Sequence, residues 1–143
     1  MVTQIGNSAF ASQTRGCITS LIMPNTITTI NTDAFVSQRI SSIVWSENLK
    51  KIGANAFLDN NMETIDLPRS LEEIGEYAFI GNVCKEIKIR RNVNSIGYNA
   101  FWTRTDVVNV YCEAAEKPEA WSNYWIESYD NSTTINKYWN QTL

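Results

Sequence analysis

The chain has 143 residues, 43% of them hydrophobic, and a formal net charge of −3. It is long enough for one domain with its own core, and it lacks the strong basic charge that nucleic-acid binding favours. No apolar stretch approaches the ~20 residues of a membrane-spanning helix, and the N-terminus shows no charged segment followed by an apolar one. Because a processed secreted protein would look the same, the compartment stays open.

The first ten residues look like the second half of a longer unit. Val2, Ile5, Ala9 and Phe10 match positions that recur later in the chain, but no strand precedes them. Either the chain was cut from a longer array, or Met1 is a true start and the first turn is incomplete. Such an edge exposes apolar groups and unpaired strand groups, so we expect it to pair with further repeats or with another chain.

A repeat of 22 residues organises the following segment. Its phenylalanines lie at positions 10, 35, 57, 79 and 101, and the first, longer spacing places three extra residues in 11–16. A fixed period with an apolar residue at every recurring position predicts a solenoid, in which each turn buries its apolar face against its neighbours. The apolar positions of one turn are Ile40, Ile43, Trp45, Leu49, Ile52, Ala56 and Phe57.

Within each turn, the sequence predicts two short extended pieces. Residues 43–45 alternate as a short strand, with Val44 pointing outward. Leu49 and Ile52 then predict a bend and a second extended piece. The next position, Gly53 in this turn, is glycine or asparagine in all five copies, which predicts a backbone with positive φ. In the fifth turn the pattern comes one residue late, and we expect Val108 and Val110 to point inward, by analogy with Ile43 and Trp45.

The composition changes at Cys112. Residues 112–143 carry five acidic and two basic side chains, and the 22-residue pattern is no longer visible. Because an open solenoid end needs a cover, we expect repeats in 1–111 and a C-terminal cap in 112–143, with a turn or short helix at Pro118. A ligand platform is the alternative for the aromatic side chains of this tail, which are Trp121, Tyr124, Trp125, Tyr129, Tyr138 and Trp139.

The motif Ile-Gly-x-x-Ala-Phe, followed eight residues later by a short Ile-x-Ile/Leu strand, resembles the BspA-type (Treponema pallidum-type) leucine-rich repeat. The similarity covers residues 2–111, and the segments 110–114, 117–118 and Trp121 resemble the end of such arrays. The departures are Asn31 in place of glycine, Cys84 in place of an aliphatic residue, and the shifted fifth strand. The resemblance implies a bacterial or protist surface protein, often an adhesin that binds host or matrix proteins.

Signs of catalysis or of a metal site are missing from the sequence. Without histidine, acid-base chemistry would fall to carboxylates, lysine, tyrosine or cysteine, and no nucleophile motif, phosphate loop or paired-carboxylate pattern is present. Cys84 occupies an apolar position and is predicted to be buried, while Cys17 and Cys112 lack metal-ligand spacing. Asp59, Asn60 and Asn61 are predicted to form a solvated loop tip. We therefore expect no enzyme activity, no cofactor and no metal.

The outward face formed by the first extended piece of every turn is the main candidate for a binding site. Parallel strands stack equivalent side chains about 4.8 Å apart, and exposed apolar side chains favour partner contact. The alternative is a surface without a partner, in which Asp66 and Lys88 form an ordinary cross-strand pair. The central column is Ile22, Val44, Asp66 and Lys88, and the flanking columns are Ser20, Ser42, Thr64, Glu86 and Pro24, Ser46, Pro68, Arg90.

The sequence thus predicts a leucine-rich-repeat solenoid, a β-rich, α/β-type right-handed superhelix of about five turns with an aromatic cap. The predicted function is a non-enzymatic, adhesin-like module at the cell surface that binds a host, matrix or other surface protein. One alternative is an intracellular or phage-encoded inhibitor that captures a single protein, and another is a structural spacer within a longer surface array. The predicted binding residues are Ile22, Ser42, Val44, Thr64, Asp66, Glu86, Lys88 and Arg90.

Overall fold

The computed structural model describes residues 1–127 and 132–143, so Tyr129 lies outside the described residues. The chain winds as a solenoid of parallel strands, and most turns place one strand on each of two faces. The strands on one face are β2 (Ser20–Ile22), β4 (Ser42–Val44), β6 (Thr64–Asp66), β8 (Glu86–Ile89), β10 (Val107–Cys112) and β11 (Thr134–Tyr138); those on the other are β1 (Gln4–Ile5), β3 (Thr29–Ile30), β5 (Lys51–Ile52), β7 (Glu73–Ile74) and β9 (Ser95–Ile96).

The two strand series differ in continuity. The short strands β1, β3, β5, β7 and β9 pair in that order as one parallel sheet, whereas the other series divides into a pair β2–β4 and a four-stranded sheet β6–β8–β10–β11. The predicted solenoid is therefore confirmed, but the described residues contain no α-helix, so the return segment of each turn is a short strand or an irregular loop. No helix that could span a membrane occurs in the described part of the chain.

A stack of parallel phenylalanine rings forms the centre of the core. Neighbouring rings from Phe10 to Phe101 lie 5.2 to 5.4 Å apart, with interplanar angles of 3° to 9°. An alanine precedes each phenylalanine, and the small side chains of Ala34, Ala56 and Ala78 are fully buried beside the stack. The prediction that these rings lie one above the other in successive turns is confirmed.

The glycine column serves a different purpose from the one predicted. Gly53, Gly75 and Gly97 do not have positive φ; the left-handed residues are those two positions later, such as Asn55 and Tyr77. The glycines are needed because neighbouring backbones approach closely. A Cβ atom at Gly75 would lie 2.5 Å from the Ala54 nitrogen, and one at Gly97 would lie 2.4 Å from the Glu76 nitrogen. The positive-φ prediction was therefore wrong by two residues.

Alanine at Gly75 should destabilise the fold, because the clash is with main-chain atoms that cannot rotate away. We expect Gly75→Ala to lower the free energy of unfolding by about 1–3 kcal/mol or more, as overpacking does, measured by urea denaturation. Gly6 is a matched control, since nothing lies within 4 Å of a Cβ atom there, and Gly6→Ala should be neutral or slightly stabilising. Equal losses in both variants would contradict the close-approach explanation.

A column of buried polar side chains holds the loops after the phenylalanines. Asn60 Nδ2 donates to the Phe35 carbonyl at 2.9 Å, and its Oδ1 accepts the Ile40 N–H at 3.0 Å. Asn82 repeats this arrangement one turn later. Asn60 is buried rather than part of a solvated loop tip, so that prediction was wrong for Asn60. The 22-residue spacing from Asn60 to Asn82 was the available signal.

The two valine side chains of the fifth turn point inward as predicted, but the strand has a different register from the predicted one. Val108 and Val110 are both fully buried. Val110 aligns with Ile87, and Cys112 aligns with Ile89, so Val110 is equivalent to Ile43 and not to Trp45. Cys112 is consequently a core residue of the fifth turn.

Residues after Cys112 continue the winding. The Ser122 N–H donates to the Ile96 carbonyl at 2.8 Å, the Asn99 N–H donates to the Tyr124 carbonyl at 2.7 Å, and β11 pairs in parallel with β10. The indole of Trp125 meets Phe101 edge-on, with ring centroids 6.1 Å apart. Trp121 and Trp125 are buried at this end of the phenylalanine stack. The tail therefore covers the core by adding an irregular sixth turn.

Candidate functional site

The central column of the outward ribbon, the solvent face of β2, β4, β6, β8, β10 and β11, begins with two exposed aliphatic side chains. Ile22 pairs with Val44 and Ser20 with Ser42 in adjacent strands. Ile22 is 82% exposed and Val44 is 60% exposed. Because the inward neighbour Met23 is packed in the core, the strand alternation forces Ile22 into solvent. The structure therefore brings the N-terminal part of the predicted set together on one surface.

Charged side chains occupy the middle of the ribbon, and their ion pairs join other residues than Asp66 with Lys88. Lys88 Nζ lies 3.0 Å from a Glu86 carboxylate oxygen of its own strand, and the hydrogen bond and charge of Glu86 raise the pKa of Lys88. Asp66 pairs instead with the guanidinium of Arg90. Asp66 and Lys88 lie opposite each other in the register of β6 and β8, as expected for the surface without a partner, but each forms its ion pair with another residue. Both ion pairs leave the middle of the ribbon close to neutral.

One member of the outer flanking column, Ser46, faces the core instead of the solvent. Ser46 is fully buried, and its hydroxyl donates to the Ile27 carbonyl at 2.6 Å. The side chain of Arg90 is only 14% exposed, and its Nε donates to the Leu67 carbonyl at 3.1 Å. Placing Ser46 on the outward face was wrong, and Arg90 serves mainly to hold Asp66.

Two further pairs of side chains extend the ribbon, and sequence reasoning missed them. Tyr111 aligns with Lys88 in the central column, and it stacks on Tyr138 with centroids 5.0 Å apart. Asn109 aligns with Glu86, and its Oδ1 accepts a hydrogen bond from Asn136 at 3.0 Å. The pattern of the fifth turn comes one residue late. If Val110 is therefore aligned with Ile87, Tyr111 falls opposite Lys88, so the signal was present in the sequence.

The ribbon is interrupted between β4 and β6. Across the continuous β6–β8 pair, the Leu67 N–H donates to the Lys88 carbonyl at 3.2 Å. The equivalent Trp45 N–H makes no such bond to Asp66. A cleft of about 230 Å³ opens here, which we call the ribbon notch; it is lined by Ser41, Ser42, Ile43, Trp45, Met62, Thr64, Ile65 and Asp66.

These features place the chain in a known class of repeat proteins. The model of the BspA-type leucine-rich repeat region matches residues 2–118 in six copies. The chain belongs to the BspA-type leucine-rich repeat family. The match confirms the resemblance and extends it past residue 111 into the irregular turn. A comparison with curated protein sequences gives no significant match.

Among solved structures, the chain is similar to a leucine-rich repeat protein from Eubacterium ventriosum. The sequences are 25% identical, and the superposition has a TM-score of 0.60. It covers 91% of this chain and 30% of the other chain. The chain therefore spans about 30% of the length of that protein.

Two of the three cysteines, Cys84 and Cys112, are buried in the core. Cys84 is buried, as predicted, and burial raises the pKa of its thiol to about 12. Burial likewise raises the pKa of Cys112 to about 12, so both thiols are protonated at neutral pH. Cys17 is exposed, and no disulfide joins the three. The described residues contain no group of three potential metal ligands.

A buried carboxylate joins the fifth turn to the neighbouring loops. Glu113 accepts the Arg91 N–H at 3.0 Å and pairs with Arg69 at 3.1 Å. Burial raises the pKa of Glu113, but the Arg91 N–H and the Arg69 guanidinium together hold it below the ordinary value of 4.5. The role of Glu113 was not predictable from the sequence, because its partners come from distant turns.

Glu113 should make stability depend on pH in the acidic range. Since the folded pKa lies below the unfolded one, the ionised carboxylate stabilises the fold fully above the unfolded value, and this contribution is lost as pH falls through the folded pKa. We expect Glu113→Gln to be less stable than the wild type at pH 7 and the difference to shrink below about pH 4.5. Thermal unfolding at pH 3 to 7 measures this; a constant difference would contradict it.

Proposed function

We propose that the chain is a non-enzymatic protein-binding module whose partner contacts the outward ribbon. The observation that carries the proposal is the pair Ile22 and Val44, which lie side by side on neighbouring strands and are 82% and 60% exposed. Burying such side chains against a partner contributes about 25 cal/mol per Å² of apolar surface. A rigid strand pair presents them without a cost for ordering a loop.

The rest of the ribbon supports a protein partner rather than a strongly charged ligand. The pairs Glu86–Lys88 and Asp66–Arg90 neutralise each other, so they contribute to specificity more than to affinity. Tyr111 and the 42% exposed Tyr138 lie at the far end of the central column, and tyrosine is enriched at protein interfaces. Ser42 and Thr64 fit a polar rim beside Val44.

For the biological setting, we propose an adhesin-like module at the bacterial cell surface that binds a host, matrix or other surface protein. The family assignment supports this choice, and the longer chain of the Eubacterium ventriosum relative is consistent with modules of larger proteins. An intracellular or phage-encoded inhibitor would use the same ribbon. The upstream reading frame separates them: further repeats or a secretion signal favour the surface module, and a stop codon favours the inhibitor.

The binding proposal is tested with Val44→Asp in surface-plasmon-resonance measurements against a panel of purified matrix and surface proteins. We expect at least a tenfold loss of affinity for the bound partner, because a central interface position changes from apolar to charged. Val83, which is 40% exposed outside the strands, provides the control Val83→Asp. Unchanged binding by Val44→Asp, with the melting temperature also unchanged, would remove the ribbon as the site.

A structural spacer is a second candidate, favoured by the open face of the first turn. Phe10 is 49% exposed although every later phenylalanine of the stack is buried, and Gly6 has open space where Gly75 meets a backbone. We propose that this face pairs with a further turn of the same kind. Val2 is equivalent to Ile27 and Leu49, so fusing a copy of residues 27–48 before Val2 continues the repeat in register. This fusion should raise the melting temperature, whereas an unstructured linker of equal length should not.

A further inference from the structure

We propose that the ribbon notch receives a primary carboxamide, the side-chain group of asparagine or glutamine, from the partner protein. This inference rests on the proposed function, because the notch lies within the outward ribbon beside Val44. Its starting point is the interrupted strand pairing between β4 and β6, where main-chain groups of the two strands do not bond each other as they do in the neighbouring pairs.

Trp45 accounts for the interruption. It occupies the inward column that holds Leu67 and Ile89 in the next two turns, where the strands pair normally. Its indole packs edge-on against two rings of the stack, 5.5 Å from Phe57 and 6.4 Å from Phe79. Tryptophan is larger than leucine, so we infer that it separates β4 from β6 on the outer side of the core. Trp45 and its neighbour Ile43 accordingly remain partly exposed.

The free groups include both donors and acceptors. On β8, the Glu86 N–H donates to the Glu63 carbonyl at 3.2 Å. The equivalent bond from Thr64 to Ser41 is not formed, nor is the bond from Trp45 to Asp66. Each missing bond leaves one N–H and one C=O, and unpaired main-chain groups are costly to bury. An occupant of the notch that bonds such a pair of groups both donates and accepts a hydrogen bond.

Charge selects a neutral occupant. Asp66, the one carboxylate among the notch residues, is already paired with Arg90. A carboxylate or an ammonium ion entering the notch would lose water without finding a free counter-ion, which is unfavourable. A carboxamide carries two N–H donors and one carbonyl acceptor in one plane, so it offers a donor to a free C=O of one strand and an acceptor to a free N–H of the other. The cleft of about 230 Å³ is open to the ribbon surface.

Amide exchange tests whether the interruption exists in solution. The N–H of Leu67 is bonded across the β6–β8 pair, whereas that of Trp45 is not, so we expect Trp45 to exchange at least about tenfold faster with deuterium under native conditions. Trp45→Leu should let β4 and β6 pair, and the exchange of residues 45 and 64 should slow. Equal protection of Trp45 and Leu67 in the wild type would overturn the proposal.

Ligand chemistry is tested by NMR titration of the full chain with N-acetyl-asparagine methylamide, and with the aspartate analogue as matched control. The amide signals of Trp45 and Thr64 should shift with the asparagine probe, and the response should fall about tenfold in Trp45→Leu, as the loss of one or two hydrogen bonds predicts. No shift, or equal shifts with both probes, would overturn the notch proposal. Because Val44→Asp tests the ribbon separately, failure of one proposal can be distinguished from failure of the other.

Discussion

Phe57→Ala should produce the largest loss of stability of any single truncation in the core. Phe57 is fully buried and stacks on both Phe35 and Phe79, at 5.3 and 5.4 Å. Truncating a buried phenylalanine costs about 3–5 kcal/mol, from lost transfer energy and from the cavity. Since small domains are stable by about 5–15 kcal/mol, we expect a large decrease in the urea midpoint at unchanged or slightly lower slope.

Phe10→Ala is the matched control for this variant. Phe10 belongs to the same stack, at 5.2 Å from Phe35, but it has one stacking partner and is 49% exposed. The expected loss is below about 2 kcal/mol, because half of the ring is already in contact with water. Similar losses in the two variants would contradict the explanation that burial between two turns determines the contribution of each phenylalanine.

Asn82→Ala should be the most damaging substitution of a polar residue. The Asn82 amide donates to the carbonyls of Phe57 and Phe79, both at 2.9 Å, and accepts the Met62 N–H at 3.0 Å. Alanine leaves these three main-chain groups unpaired in a fully buried place. At about 1–3 kcal/mol per buried unsatisfied group, the expected loss is at least about 3 kcal/mol, measured by chemical denaturation.

An exposed asparagine provides the control for Asn82. Asn92 donates one hydrogen bond, at 2.7 Å, to the Arg69 carbonyl, and both groups can bond water after substitution. Asn92→Ala should therefore cost less than about 1 kcal/mol. If Asn82→Ala were equally mild, the buried asparagine column would be tolerated by the fold rather than required for it.

The repeat positions show why so much of the fold could be predicted. Phe35, Phe57 and Phe79 recur at one spacing because every turn packs against neighbours that present the same side chains. The same argument was available for Asn60 and Asn82, but their polarity suggested solvent instead of the ends of buried loops. The recurring glycine at the position of Gly75 correctly indicated an unusual backbone site. Whether the reason is a positive φ or a close approach of two backbones depends on where the preceding turn lies, which the sequence does not show.

The binding surface was predictable in part. Alternation within β2 and β4 placed Ile22 and Val44 outward, and the structure has them exposed. The contacts of Asp66 depended on side-chain reach: Arg90 extends back across the ribbon, while Lys88 bonds Glu86 in its own strand. Whether the partner binds here stays a prediction until Val44→Asp is measured.

The sequence alone determined the period, the inward and outward assignment of most positions, and the family, because these depend on local alternation and on the repetition of one contact. Only the tertiary structure decided the sixth turn, the register of β10 and the notch at Trp45. Those features depend on how neighbouring turns fit in three dimensions: one extra residue shifts a whole strand, and one oversized side chain separates two strands. A pattern of residue types does not contain these distances.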